Sequence, residues 1–237
     1  MNRLRIMTLA LIIVTGMVAL PAVASECMKC HSSPIFKVKH KSLYDYFVEF
    51  RDSVHGIAGL DCSDCHGGDT QATDPEMAHV GVRDRVRYDR IPETCGECHE
   101  NQKVAFCTSD HYRILEDTGT APNCVTCHGA MEMDFIFAGR VKNTCAFCHN
   151  MESGNNPEIP DRADYILSKI NIIKGYRSFV ETNGKDRELV ADLAHSYEEL
   201  SAKWHRFDLT SVAQDTKELL GQYRSAKAQA VKDKRKN

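Results

Sequence analysis

The chain has 237 residues, of which 42% are hydrophobic and 27% charged, with a formal net charge of −3. That balance excludes a polybasic nucleic-acid binder. Eleven cysteines, far more than a chain of ordinary composition carries, make cysteine chemistry the organising question.

The N-terminus carries Arg3 and Arg5, an apolar run from Ile6 to Leu20, then Pro21-Ala22-Val23-Ala24-Ser25. A basic start, an apolar core and an Ala-x-Ala site predict a signal peptide over residues 1–24, cut after Ala24, and a periplasmic or otherwise exported protein. The alternative is an uncleaved membrane anchor, since Ile6 to Ala24 is nearly long enough to span a bilayer. No later stretch is apolar enough to do so.

Five Cys-x-x-Cys-His segments follow: Cys27 to His31, Cys62 to His66, Cys95 to His99, Cys124 to His128 and Cys145 to His149. Each fits a c-type haem attachment site. Two thiols three positions apart project from one side of a helical turn and can form thioethers with the two vinyl groups of one haem. The next residue, histidine, can reach the iron. Zinc ribbons, a thiol redox site and a disulfide framework all lack a reason for histidine after every second cysteine. The expected cofactor is five covalently attached haem c groups, held by Cys27, Cys30, Cys62, Cys65, Cys95, Cys98, Cys124, Cys127, Cys145 and Cys148. The proximal iron ligands are His31, His66, His99, His128 and His149.

Residues 25–152 carry 13 basic and 20 acidic side chains, and residues 153–237 carry 15 and 13. A loop-like cluster, Glu152-Ser153-Gly154-Asn155-Asn156-Pro157, marks the change. The expected organisation is a pentahaem domain over 25–157 and a helical region over 158–237 with a basic tail. About 26 residues per haem are too few for an ordinary apolar core, so the porphyrins themselves are expected to form it. The predicted fold is mainly α: short helices and loops around five packed haems, then a C-terminal helical hairpin or small bundle.

In the second region Tyr165, Ile166, Ile170, Ile173, Tyr176 and Val180 recur at helical spacing, between a cap at Asp161 and a stop at Asn183-Gly184. Leu189, Leu193, Tyr197, Leu200, Trp204 and Phe207 mark a second helix. Leu209, Val212, Leu219, Leu220 and Tyr223 extend it or form a third. The first stripe is expected to pack on another helix, on the haem region or on a second subunit; a helical hairpin covering the haem core is the expected form, with self-association as the alternative. Lys232 to Asn237 is expected to be a frayed, solvated tail.

Six histidines lie outside the motifs: His40, His55, His79, His111, His195 and His205. A haem closed on both sides by protein moves electrons, whereas one with an open side binds small molecules. His55 and His111 occur in two Ser-x-His segments, each followed by Cys-x-x-Cys-His-Gly, a degenerate internal repeat. With His40 and His79 they are expected to be distal ligands. On a helical wheel His195 points away from the Leu189-to-Phe207 stripe, while His205 lies on its flank, so His205 is the fifth candidate. Met131, Met133 and Met151 are alternatives, with packing against porphyrin as their simpler role. Cys107 is expected to be a small buried residue near the His111 segment.

The segments Ser53-Val54-His55-Gly56, Gly59 through Gly68, and Ala121 through Gly129 resemble multihaem cytochromes c of the cytochrome c554 type, within a wider group of nitrite reductases and hydroxylamine oxidoreductases. The resemblance covers residues 27–150 and implies distal ligation by His55, His111, His40 and His79. All five motifs here end in histidine, unlike the lysine-bearing catalytic site of typical pentahaem nitrite reductases. The expected function is single-electron transfer between redox partner proteins: a membrane-side donor and a terminal reductase or extracellular acceptor. The alternatives are an oxidoreductase acting on a small nitrogen or sulfur oxyanion at one five-coordinate haem, and a subunit of an extracellular cytochrome filament.

Overall fold

A computed structural model describes residues 25–83 and 85–235. The predicted signal segment, residues 1–24, and the last two residues of the tail lie outside them. Among the described residues there are helices and turns but no strand, so the fold is mainly α. In chain order come α1 (Glu26–His31), α2 (Pro34–Lys39), α3 (Lys41–Asp52), α4 (Val54–Ile57), α5 (Cys62–His66) and α6 (Pro75–Ala78). A 3-10 turn (Tyr88–Arg90) precedes α7 (Ile91–Gly96), α8 (Glu100–Phe106), α9 (Asp110–Thr118), α10 (Cys124–His128) and α11 (Ala138–Ala146). Three long helices complete the chain: α12 (Ile159–Asn183), α13 (Arg187–Trp204) and α14 (Leu209–Arg235).

The apolar core sits among those three long helices. Ile166, Ile170, Ile173 and Val180 of α12 meet Leu193 and Leu200 of α13, and Leu209, Val212, Leu219, Leu220 and Tyr223 of α14. Val141 of α11 joins the same cluster. The first stripe thus packs on other helices of the chain, one of its expected settings, rather than on the haem region or a second subunit, although Tyr165 stays exposed. Burying each such aliphatic side chain contributes about 1.5–3 kcal/mol. The Tyr223 hydroxyl is buried too, and donates to the Leu193 carbonyl at 2.8 Å, which removes the cost of an unpaired phenol.

Local chemistry sets the ends of these helices. Asp186 caps α13 by accepting from Leu189 N at 3.1 Å, and Asp208 accepts from Ser211 N at 3.2 Å near the start of α14. Asp161 is not a cap: α12 begins two residues earlier, and Asp161 pairs with Lys142 of α11 at 2.5 Å. The second helix stops at Trp204 rather than Phe207, and a turn carrying Phe207 at φ 58° separates it from α14. The expected tail is corrected in part: residues 232–235 stay helical rather than frayed, while Lys232, Lys234 and Arg235 are solvent-exposed as expected. Helix continues to Arg235, because Ala226 and Ala230 on its inner face are buried.

Residues 25–150 bury little by comparison. Their main apolar cluster is small, made of Phe106, Leu115 and Ala121 with Tyr112 and Phe207 beside it. Large apolar side chains here stand out of the protein surface: Val38 and Phe147 are 84% exposed and Ile57 is 77% exposed. Exposure on that scale is unusual for a folded domain and fits a region whose packing partner is a large apolar group rather than polypeptide.

Candidate haem-binding site

All five motifs form helical turns, but in two settings. Motifs two and four are free-standing five-residue helices, α5 and α10. Each begins with a capping box: Asp61 N donates to Asp64 Oδ2 at 2.7 Å, and Asn123 N donates to Thr126 Oγ1 at 3.0 Å. Each ends on a glycine with positive φ, Gly67 at 73° and Gly129 at 82°, where a side chain would be strained. A Cβ on Gly67 would also come within 3.0 Å of the Gly81 carbonyl. Motif one lies within α1. Motifs three and five close the ends of α7 and α11, where His99 N and His149 N donate to the carbonyls of Cys95 and Cys145 at 2.9 Å.

The Ser-x-His repeat has a structural basis. Ser53 and Ser109 are both buried, and each caps a helix by accepting from a backbone N–H three residues on: Gly56 N at 3.2 Å and Tyr112 N at 3.1 Å. The histidine two residues after each serine is thereby fixed in the first helical turn.

Four histidine pairs result, each joining a motif histidine to a spare one. Ring centroids are 6.2 Å apart for His31 and His79, 6.0 Å for His55 and His99, 6.0 Å for His111 and His149, and 6.3 Å for His128 and His205. An iron bound by one nitrogen of each ring at ~2 Å would set the centroids roughly 6 Å apart, so the observed spacing fits a metal between them. Direct ring stacking would bring them closer. Each pair also joins segments remote in sequence, and the His128–His205 pair ties α10 to the end of α13.

The ring nitrogens fit the same group. Nδ1 of His79 lies 2.6 Å from the Pro75 carbonyl, and that of His66 lies 2.7 Å from the Arg83 carbonyl. Nδ1 of His128, His149 and His205 lies 3.1, 3.0 and 2.8 Å from the carbonyls of Asp134, Asn155 and Ser201. A carbonyl only accepts, so each Nδ1 carries the proton and each Nε2 keeps its lone pair for a metal. His195 behaves differently: exposed, it directs Nε2 toward Glu199 at 3.4 Å.

Electrostatics reflect the burial. Desolvation pushes the pKa of His205 down to about 4, and lowers those of His111, His55 and His31, with their partner rings adding to the effect. Burial raises Cys62 and Cys127 to about 11. Cys95 and Cys124, from successive motifs, share a hydrogen bond that holds the Cys95 thiol well above its ordinary range. The 3-10 turn that leads into α7 is tied to motif four by Tyr88, whose hydroxyl lies 2.9 Å from Thr126 Oγ1 and whose carbonyl accepts from Asn123 Nδ2 at 2.8 Å.

Three residues stand apart from these pairs. His40 stands at the α2–α3 junction with its ring 5.0 Å from Phe36, which itself stacks on His31 at 4.3 Å. That holds it on the motif-one side, opposite no motif histidine. His66 accordingly has no imidazole facing it at the pair spacing among the described residues. Cys107 is only half-buried, at the end of α8, with a hydrogen bond to Tyr112. Met151 is 84% exposed. Sequence reasoning missed Phe207, whose ring meets His111 edge-on at 4.7 Å and Phe106 at 6.3 Å. The sequence marks it only as the end of the second helical stripe, and its contact with His111 depends on the positive φ that takes it out of that helix.

No family model matches the chain, and no solved structure does. Curated proteins from Geobacter sulfurreducens do. The chain is 30% identical to the C-type polyheme cytochrome OmcB over 115 residues, 45% of this chain. It is 27% identical to the C-type polyheme cytochrome OmcC over 128 residues, 54% of this chain. The matched stretch is 14% of the length of either relative. The likeness supports a multihaem c-type cytochrome and does not single out the cytochrome c554 type. No described helix is long and apolar enough to cross a membrane.

Proposed function

We propose that this chain is an exported pentahaem electron carrier in which bis-histidine ligation closes at least four of five haems. When bound, haem supplies reversible one-electron Fe(III)/Fe(II) cycling. The paired cysteines anchor it, the motif histidines take one axial position, and His79, His55, His205 and His111 take the other, for motifs one, three, four and five respectively. The observation that carries this reading is the set of four imidazole pairs at 6.0–6.3 Å. Cleavage after Ala24, the division near residue 157 and a c554-type relationship belong to the same proposal, as does docking of separate redox partner proteins. Intact mass of the secreted protein tests it: the chain from Ser25 plus five haems is expected. A mass with fewer haems, or with the N-terminal segment retained, would contradict the count or the cleavage.

A second reading, an oxidoreductase for a small nitrogen or sulfur oxyanion, is favoured by one observation. His66 is the motif histidine that none of the spare imidazoles faces. A ferric high-spin signal that shifts on adding nitrite or hydroxylamine would support it. Uniformly low-spin haems would remove it.

A further inference from the structure

The four histidine pairs differ in how their Nδ1 atoms are held, and this bears on the bound group rather than on the fold. In the His128–His205 pair both rings are anchored, by the carbonyls of Asp134 at 3.1 Å and Ser201 at 2.8 Å. In the His111–His149 pair His149 is anchored by Asn155, while Nδ1 of His111 is buried without a hydrogen-bond partner among the described residues. Nδ1 of His55, in the pair with His99, is likewise buried and unpartnered. An Nδ1–H that donates to a carbonyl pushes electron density toward Nε2 and makes the imidazole a stronger donor. A stronger axial donor stabilises the ferric over the ferrous state and so lowers the reduction potential.

We propose that His128 and His205 hold the lowest-potential haem of the bis-histidine set, and that His55 with His99 hold a higher-potential one beside it. This rests on the ligation proposed above. Burial alone acts in the other direction, since a dry site disfavours the ferric charge. That factor is unequal: desolvation is the leading influence at all three, and it weighs most on His205 and less on His111 and His55. The proposed order therefore requires the hydrogen bonding to outweigh burial. The contacts between motifs three and four make these two sites neighbours, so the potentials do not fall evenly along the chain. An electron moving from the His99 side to the His128 side goes uphill, which makes that step the resistance in the path between the two ends.

The test is a potentiometric titration of the intact, haem-loaded protein followed by electron paramagnetic resonance. The ring planes of His128 and His205 lie 17° apart, against 29°, 35° and 52° for the other pairs. Near-parallel axial imidazoles give the most rhombic low-spin signal, so that signal is expected to be the last lost on reduction. In His205→Met, thioether ligation should shift the lowest step upward and leave the others in place. In His55→Met an upper step should shift and the lowest remain. Loss of the most rhombic signal before the others overturns the ordering, a result the unmodified protein supplies even where a variant fails to assemble. Persistence of the lowest step in His205→Met, with His/Met ligation demonstrated, also overturns it. A His205→Met protein that keeps every bis-imidazole signature overturns the ligation itself.

Discussion

His128 and His205, on α10 and at the end of α13, face each other with ring centroids 6.3 Å apart and planes 17° apart. This is the pair through which the long helices reach into the motif-bearing part of the chain. The next two residues dock at the end of α8: Arg206 Nε donates to Thr108 Oγ1 at 3.2 Å, and Phe207 packs edge-on against Phe106. The helical region thus has two roles, as the apolar core and as the source of one imidazole.

Replacing that imidazole should open one site. His205→Ala is expected to convert one low-spin haem to high spin and to create one additional binding site for carbon monoxide in the reduced protein. His195→Ala should do neither, because His195 is exposed and pairs only with Glu199. Carbon monoxide titration, normalised to haem content, checks both.

The serine caps should matter to stability. Ser53→Ala and Ser109→Ala each remove a buried cap that fixes a histidine-bearing turn, at a cost of about 1–2 kcal/mol. Ser53→Ala also deletes a 2.7 Å bond to the Phe50 carbonyl, so it should be the more costly of the two. Thermal unfolding of the haem-loaded variants gives the order.

Weakening the helical core should leave haem ligation unchanged in the folded protein. Ile173 is fully buried, and Ile173→Ala should cost about 2–5 kcal/mol through lost burial and a residual cavity. Its oxidised spectrum at low temperature should match that of the unaltered protein. A change of spin state would mean the core and the histidine pairs are coupled more tightly than their separation implies.

Phe207 should affect the His111–His149 pair, the one its ring touches. Phe207→Ala removes the aromatic edge 4.7 Å from His111, whose Nδ1 has no hydrogen bond to hold the ring. The paramagnetic signal of the His111–His149 site should broaden or shift, while that of the His128–His205 site stays fixed. Low-temperature spectra of the two proteins decide it.

Much of this was legible in the sequence because it is local. The Cys-x-x-Cys-His turns, the apolar periodicity of α12 to α14, and the outward face of His195 all follow from spacing along one element. The His205 flank position follows the same way, and its ring does turn inward toward His128. The pairing itself was not legible. His79 follows motif two yet faces His31 of motif one, and His55 precedes motif two yet faces His99 of motif three. Chain order says nothing about such crossings, which depend on how turns such as Gly67 and Gly68 fold back. The carbonyl anchors were invisible for a simpler reason: every residue has a carbonyl, and only tertiary structure selects which one a ring meets. The helix past Lys232 was missed because charge suggested fraying, whereas burial of Ala226 and Ala230 carries α14 onward.

The claim on which the rest depends is that imidazole pairs close at least four haems. Near-infrared magnetic circular dichroism of the oxidised protein, integrated against haem content, measures it directly, because bis-imidazole, imidazole–thioether and high-spin sites give separate bands. At least four haems per chain with bis-imidazole intensity is the expected result, with the His66 site the one that departs if any does. Two or more high-spin or thioether-ligated haems per chain would contradict it.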